Sequence, residues 1–219
     1  MLIKQLELQT NDIKTTADFY TVVMELPILN KSFERISFAE GRTILSFALA
    51  NNKKTYYHLA FGIPSNKFDE AHSYIAERTR ILPFTAKSTI ANFSNWNAHA
   101  FYFHDNQNNI LEFIAHHDLP NNSNQPFTSS SITGICKIGV PAEDVTEACK
   151  TIHEKYEVPY FKKGPRLKEF SDMGDEHGLF IVTKVGRGWL PTQQPAERHF
   201  TEVIFENRGK EKKYIISNE

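Results

Sequence analysis

The amino-acid sequence predicts an α+β fold built from repeated units of one strand, one helix and several further strands. Segments that begin near residues 2, 55 and 132 each read as a strand followed by a helix, and the first two lie about 55 residues apart. The strand segments show alternating or continuous apolar residues, and the helix segments show apolar residues at helical spacing. A repeat of this kind indicates a fold that is assembled from similar units.

The first unit opens with an alternating strand. Three leucines share one face of the segment from residue 2 to residue 9, and Gln5 lies on the opposite, polar face, because successive side chains of a strand point to opposite sides. Asp12 then stands where the N-cap of a helix is expected. The predicted buried stripe of that helix is Ile13, Ala17, Tyr20 and Met24.

The second unit carries a histidine in its first strand and an acid in its last. His58 lies in the aromatic and aliphatic segment from residue 55 to residue 64, and a predicted helix follows it. The stretch from Asp105 to Asn109 consists of turn-forming residues between two strand-like segments, which predicts a β-hairpin. Glu112 lies in the middle of the second hairpin strand.

Glu112 is the most informative single residue. Its neighbours Ile110, Leu111, Phe113 and Ile114 are all apolar, and an ionised carboxylate buried without a partner is so unfavourable that such a group is normally paired, hydrogen-bonded or bound to a metal. Alternation places Ile110 and Ile114 on the face of Glu112 and the other two on the opposite face. The alternative is an edge-strand glutamate that points to water.

Linker and tail segments complete the organisation. The stretch from residue 118 to residue 131 is rich in proline, asparagine and serine, as is typical of a linker,. The third unit follows it, and the segments 200–206 and 212–217 predict a C-terminal hairpin. We therefore predict a paired two-unit region at 1–117, a linker at 118–131, and a single degenerate unit with the hairpin at 132–219.

Composition excludes several classes of function. The 25 lysines and arginines nearly balance the 26 aspartates and glutamates, so charge gives no indication of nucleic-acid or membrane binding. Cys136 and Cys149 form neither a CxxC motif nor a zinc-binding pair and are predicted to be buried thiols. The N-terminal residues lack the apolar segment of a secretory signal, which predicts a cytoplasmic protein.

The strand, the Asp12-capped helix and the final Asp105 to Glu112 hairpin together resemble the vicinal oxygen chelate superfamily. This superfamily includes glyoxalase I, bleomycin-resistance proteins and extradiol dioxygenases, in which paired βαβββ units form a cup-shaped, curled mixed β-sheet with flanking helices. The resemblance covers residues 1 to about 117 well, and residues 132 to 191 more loosely.

The resemblance implies a divalent metal site formed by Gln5, His58 and Glu112. Where many relatives have histidine in the first position, this chain has Gln5. The equivalent positions of the third unit are Lys137 and Val182, which cannot form such a site. One amide, one imidazole and one carboxylate suit Fe, Mn, Ni or Zn, and three protein ligands leave positions open for substrate. The alternative for His58 is a core or surface histidine with no ligand role.

Three functions follow as hypotheses. The first is a metal-dependent enzyme that acts on a small oxygen-bearing substrate, with Glu112 as a metal ligand that also moves a proton. The second is a metal-free protein that sequesters a small molecule in an apolar cup, as bleomycin-resistance proteins do, with Trp96 and Tyr102 as candidate walls. The third is a non-catalytic module in which the degenerate unit forms a homodimer.

Overall fold

The structure is a computed structural model that describes residues 1–50 and 54–217. Residues 51–53 of the predicted first region and residues 218–219 of the predicted third lie outside this described part. Three units of the predicted kind are present, each with a first strand, a helix and further strands. The α+β fold class is therefore confirmed.

The first unit contains four strands, and its helix continues into a π-helical turn at Phe19–Val23. The predicted cap is confirmed, since the Asp12 side chain accepts hydrogen bonds from the backbone N–H groups of Lys14 and Thr15. The predicted apolar stripe of this helix is buried. The elements are β1 (Leu2–Thr10), α1 (Ile13–Asp18), β2 (Ile28–Lys31), β3 (Arg35–Glu40) and β4 (Thr43–Leu49).

The second unit ends on the predicted hairpin. The two faces of its last strand separate as alternation predicts, with Ile110 and Ile114 in one apolar cluster and Leu111 and Phe113 in the other. The elements are β5 (His58–Ile63), α2 (Phe68–Ala76), β6 (Ala91–Phe93), β7 (Ala98–His104) and β8 (Ile110–His116).

The third unit has the longest helix, which Asp144 caps by accepting a hydrogen bond from the Glu147 N–H. Two short strands follow the unit, and the predicted hairpin ends the described chain. Its two-residue loop places Arg208 and Gly209 at positive φ, as the favoured hairpin turns require. The elements are β9 (Gly134–Ala142), α3 (Val145–Tyr156), β10 (Arg166–Leu167), β11 (Phe170–Asp175), β12 (Gly178–Lys184), β13 (Gly188–Trp189), β14 (Gln194–Pro195), β15 (Thr201–Asn207) and β16 (Lys210–Ile216).

The units pair differently from the expected arrangement. One sheet has six strands in the order β16-β15-β1-β4-β3-β2, and the other has eight in the order β10-β11-β12-β9-β5-β8-β7-β6. The second unit therefore joins the third through antiparallel pairing of β5 with β9, whereas the first unit joins the C-terminal hairpin. The reason is edge occupancy: β4 and β15 take the two edges of β1, which leaves none for β5.

The cup thus belongs to the second and third units, and the third unit is half of it rather than a degenerate addition. A buried hydrogen bond from the Tyr20 hydroxyl to Asp105 Oδ2, 3.0 Å long, ties the helix of the first unit to the hairpin of the second. The connection from residue 118 to residue 128 is irregular and is followed by a 3₁₀ turn at Ser129–Ser131. Within the described ranges, no helix is long and apolar enough to cross a bilayer.

Candidate functional site

The structure brings together two of the three predicted metal ligands. His58 on β5 and Glu112 on β8 both line a cavity of about 520 Å³ on one face of the eight-stranded sheet. Gln5 lies on β1 in the six-stranded sheet, between Ile44 and Ile204, and its side chain is exposed. The predicted triad of Gln5, His58 and Glu112 is therefore not formed, because Gln5 lies in the sheet of the first unit and the C-terminal hairpin, whereas His58 and Glu112 lie in the sheet of the second and third units.

Lys137 takes the place that Gln5 was expected to fill. In the strand register Ala60 of β5 pairs with Glu112 on one side and with Lys137 of β9 on the other. The two charged residues are thus two strand spacings apart, about 9.6 Å along the sheet. Their long side chains converge over the small Ala60, and Lys137 Nζ lies 2.7 Å from Glu112 Oε1.

Both members of this ion pair are buried, with Lys137 2% exposed and Glu112 1% exposed. The ammonium group also lies 4.6 Å from the ring centre of Trp96 and 5.3 Å from that of Phe93. An aromatic face attracts a cation at such distances. The carboxylate and the two rings therefore offset the unfavourable free energy of removing the Lys137 ammonium group from water.

His58 is held as a neutral ring. Its Nδ1 lies 3.1 Å from the carbonyl oxygen of Ile110, and since a carbonyl only accepts, Nδ1 carries the proton and Nε2 is left as an acceptor. Burial lowers the pKa of His58, although the Glu112 carboxylate opposes that shift. His58 Nε2 lies 3.5 Å from Glu112 Oε2, which is too long for a good hydrogen bond.

The Tyr102 hydroxyl adds a second donor to Glu112. Burial raises the pKa of Tyr102 well above its usual range, and the adjacent Glu112 carboxylate, which the hydroxyl donates to, raises it further. The phenol is therefore a neutral donor. With Lys137 and Tyr102 as partners, the buried Glu112 carboxylate is satisfied without a metal ion.

Aromatic side chains form much of the cavity wall. Trp189 is 5% exposed and its ring lies 5.1 Å from that of His58. At the mouth, Leu167 and Leu190 are 58% and 47% exposed. A cavity of this size with apolar walls and a few polar groups is typical of small-molecule sites. The aromatic residues of the wall are Phe93, Trp96, Tyr102, Phe170 and Trp189.

A second buried carboxyl group lines the same cavity without a partner. Asp172 on β11 is 1% exposed, and neither of its oxygens has a hydrogen-bond partner among the residues that the structure describes. Burial raises the pKa of Asp172 to about 7, against the attraction of the Lys137 ammonium. Asp172 is thus a buried carboxyl group without a hydrogen-bond partner in the described part of the chain.

Comparison with solved structures gives the fold its name. A proposed dioxygenase from Bacillus subtilis superimposes with a TM-score of 0.61 at 14% identity over 90% of this chain and 65% of that chain. Glyoxalase I from Zea mays superimposes with a TM-score of 0.56 at 12% identity over 84% of this chain and 66% of that chain. This chain has the vicinal oxygen chelate fold. It spans just under two thirds of the length of either relative.

One further comparison with this fold is weaker. A fosfomycin resistance protein from Listeria monocytogenes, whose structure contains Mn(II), matches over 55% of this chain with a TM-score of 0.41 and 19% identity. That similarity is too low to bear on function. The sequence matches no protein-family model and no curated protein.

The divalent metal that the vicinal oxygen chelate fold implies does not suit the residues present. His58 and Glu112 are two donors where open catalytic sites provide three, and the third side chain at this point is the Lys137 ammonium, which has no lone pair to donate. In the described part of the chain, no group of three His, Cys, Asp or Glu side chains is arranged to hold a metal ion. We therefore assign no chemical step to a metal.

Sequence reasoning overlooked the partners of Glu112. Lys137 carried the same signal as Glu112, since it is the one charged residue in the otherwise apolar stretch from Ile135 to Val140. His116, at the end of β8, is also buried: it is 2% exposed and stacks on Trp96. Asp172 and Trp189 carried no comparable signal in the sequence. The predicted homodimer stays a prediction.

Proposed function

We propose that this chain binds a small molecule in the cup of its second and third units without a metal ion. The observation that carries the proposal is the buried contact between Lys137 and Glu112. The ammonium group provides one positive charge at the carboxylate, where the fold would otherwise have a divalent cation. This is the second of the three functions considered from the sequence, and the contact between Lys137 and Glu112 favours it over the metal-dependent enzyme.

The surroundings of Glu112 also argue against the proton-transfer role considered for it. A general base needs a free carboxylate within reach of its substrate. Glu112 accepts hydrogen bonds from Lys137 and from Tyr102 instead. Its role in the proposal is to hold the Lys137 ammonium at the floor of the cup.

Occupancy of the cup can be measured with the protein's own fluorescence. The chain has two tryptophans, and both Trp96 and Trp189 line the cavity. We expect 8-anilinonaphthalene-1-sulfonate to bind one molecule per chain and to quench tryptophan emission, equally before and after treatment with EDTA. Elemental analysis of protein purified without chelator should find far less than one metal ion per chain.

A matched pair of variants locates the probe. Ile181 lies in the cavity wall, so Ile181→Phe should weaken probe binding at least tenfold by filling space. Leu29 lies on the outer strand β2 and is 53% exposed, so Leu29→Phe should leave binding unchanged. Binding that requires added Mn(II), Ni(II) or Zn(II), or a stoichiometric metal whose removal abolishes binding, would contradict the proposal.

A further inference from the structure

Asp172 is a polar group of the cup whose side chain has no hydrogen-bond partner among the described residues. Both oxygens are buried without a hydrogen-bond partner in the described ranges, while the other buried carboxylate of the cup, Glu112, is fully engaged. Leaving a buried acceptor unpaired is destabilising. Such groups are few in folded proteins, and each calls for a specific explanation.

The fold makes room for this carboxyl group. A β carbon at Gly164 would lie 2.6 Å from Asp172 Oδ2, so a glycine is needed where the loop before β10 passes over the carboxylate. Asp172 shares a cross-strand row with Ile181 and Gly139, and both Asp172 and Ile181 line the cavity. The Asp172 side chain therefore lies on the cavity face of the sheet, and the loop at Gly164 covers it.

The rest of the cup sets the shape of an occupant. The indole rings of Trp96 and Trp189, the phenol of Tyr102 and the ring of Phe170 line the same cavity, and flat apolar surfaces of this kind favour stacking with a planar ligand. Asp172 and the Nε2 atom of His58 are both able to accept a hydrogen bond from a ligand there. The cup therefore favours a planar molecule that donates.

We propose that the Asp172 carboxyl group accepts a hydrogen bond from a hydroxyl or amino group of a planar aromatic ligand bound in the cup. The proposal rests on the proposed function, since it needs a ligand there, and it adds the chemical class of that ligand. A donor group on the ligand would hydrogen-bond to the Asp172 carboxyl group, which has no such partner among the described residues. The same contact would discriminate against molecules of equal shape that lack the donor.

Two probes of nearly equal shape test this contact. 2-Naphthol carries a hydroxyl donor, and 2-methoxynaphthalene keeps the oxygen but has no donor. By calorimetric titration of the full chain we expect 2-naphthol to bind at least tenfold more tightly. Asp172→Leu, which has nearly the same shape, should bring the two affinities within a factor of two, and its melting temperature should equal or exceed that of the unmodified protein.

Glu169 provides the matched control. It is exposed, pairs with Lys184 outside the cavity, and lies three residues from Asp172, so Glu169→Gln should keep the full preference for 2-naphthol. Equal affinity of the unmodified protein for both probes, or a preference that survives in Asp172→Leu, would overturn the role of Asp172 and leave metal-free binding intact. If neither probe binds at 1 mM and 8-anilinonaphthalene-1-sulfonate also fails to bind, both proposals are wrong.

Discussion

Trp189 packs so closely on Gly139 that a β carbon at position 139 would lie 2.8 Å from two atoms of the indole ring. Gly139 is on β9, two residues beyond Lys137 and on the same face of the sheet,. The absence of a side chain there lets the indole lie over the strand and beside His58. One wall of the cup therefore depends on a single glycine.

We expect Gly139→Ala to push Trp189 from this position. Overpacking of a buried site typically destabilises a protein by about 1–3 kcal/mol, and chemical denaturation would measure the loss. Because the clash involves the far edge of the indole, the same substitution in a Trp189→Phe background should be milder. Equal effects in the two backgrounds would show that Trp189 does not contact Gly139.

Removal of Lys137 should destabilise the protein strongly. Lys137→Met leaves the buried Glu112 carboxylate without its counter-charge, and breaking a buried ion pair in this way typically costs about 3–5 kcal/mol. The double variant Lys137→Met with Glu112→Gln removes both charges and should recover most of the stability. Urea denaturation of the two single variants and the double variant gives the coupling free energy between Lys137 and Glu112. Additive losses would refute the pairing.

A metal site should be obtainable by changing Lys137 alone. Lys137→His removes the cation and places a third donor beside His58 and Glu112, as an open zinc or nickel site requires. Added Zn(II) or Ni(II) should raise the melting temperature of this variant and leave that of the unmodified protein unchanged. The unmodified protein is the control. A comparable rise in both proteins would show that Lys137 does not exclude metal.

Asp172 should make stability depend on pH. Its pKa is raised from 3.8 to about 7, so the folded state holds the proton more tightly than the unfolded state does. The resulting penalty to the free energy of unfolding grows as the pH rises from about 4 through 7. From the 1.36 kcal/mol per pKa unit, this penalty is at most about 4 kcal/mol. Asp172→Asn should therefore be more stable than the unmodified protein at pH 8 and nearly equal to it at pH 4.

Asp105 is the matched control for that experiment. Burial raises the pKa of Asp105 as well, but Asp105 differs from Asp172 in accepting hydrogen bonds from the Tyr20 hydroxyl and from the backbone and side chain of Asn109, which an asparagine would lose in part. Asp105→Asn should therefore lower stability at pH 8, opposite in sign to Asp172→Asn. Thermal melts at the two pH values distinguish the cases. Loss of stability in Asp172→Asn at pH 8 would mean that Asp172 has partners in the folded protein.

Sequence patterns were sufficient for the local structure of the chain. The Asp12 cap, the hairpin that presents Glu112 and the C-terminal hairpin depend on residues close together in sequence, and all are confirmed. Alternation also placed Ile110 and Ile114 on one face with Glu112. Such features are determined locally, because the side-chain period of a strand and the geometry of a turn involve only a few neighbouring residues.

Tertiary structure alone decided which partner Glu112 received. The sequence established that this carboxylate required one, and the resemblance between units supplied Gln5, since similar units give no indication of which two share a sheet. The C-terminal hairpin occupies the edge of β1, so β5 pairs with β9, and Lys137 rather than Gln5 reaches Glu112. Whether Gln5 or Lys137 lies beside Glu112 was decided by the pairing of Ala60 with Lys137, which are 77 residues apart in the sequence, and no local pattern encodes such a pairing.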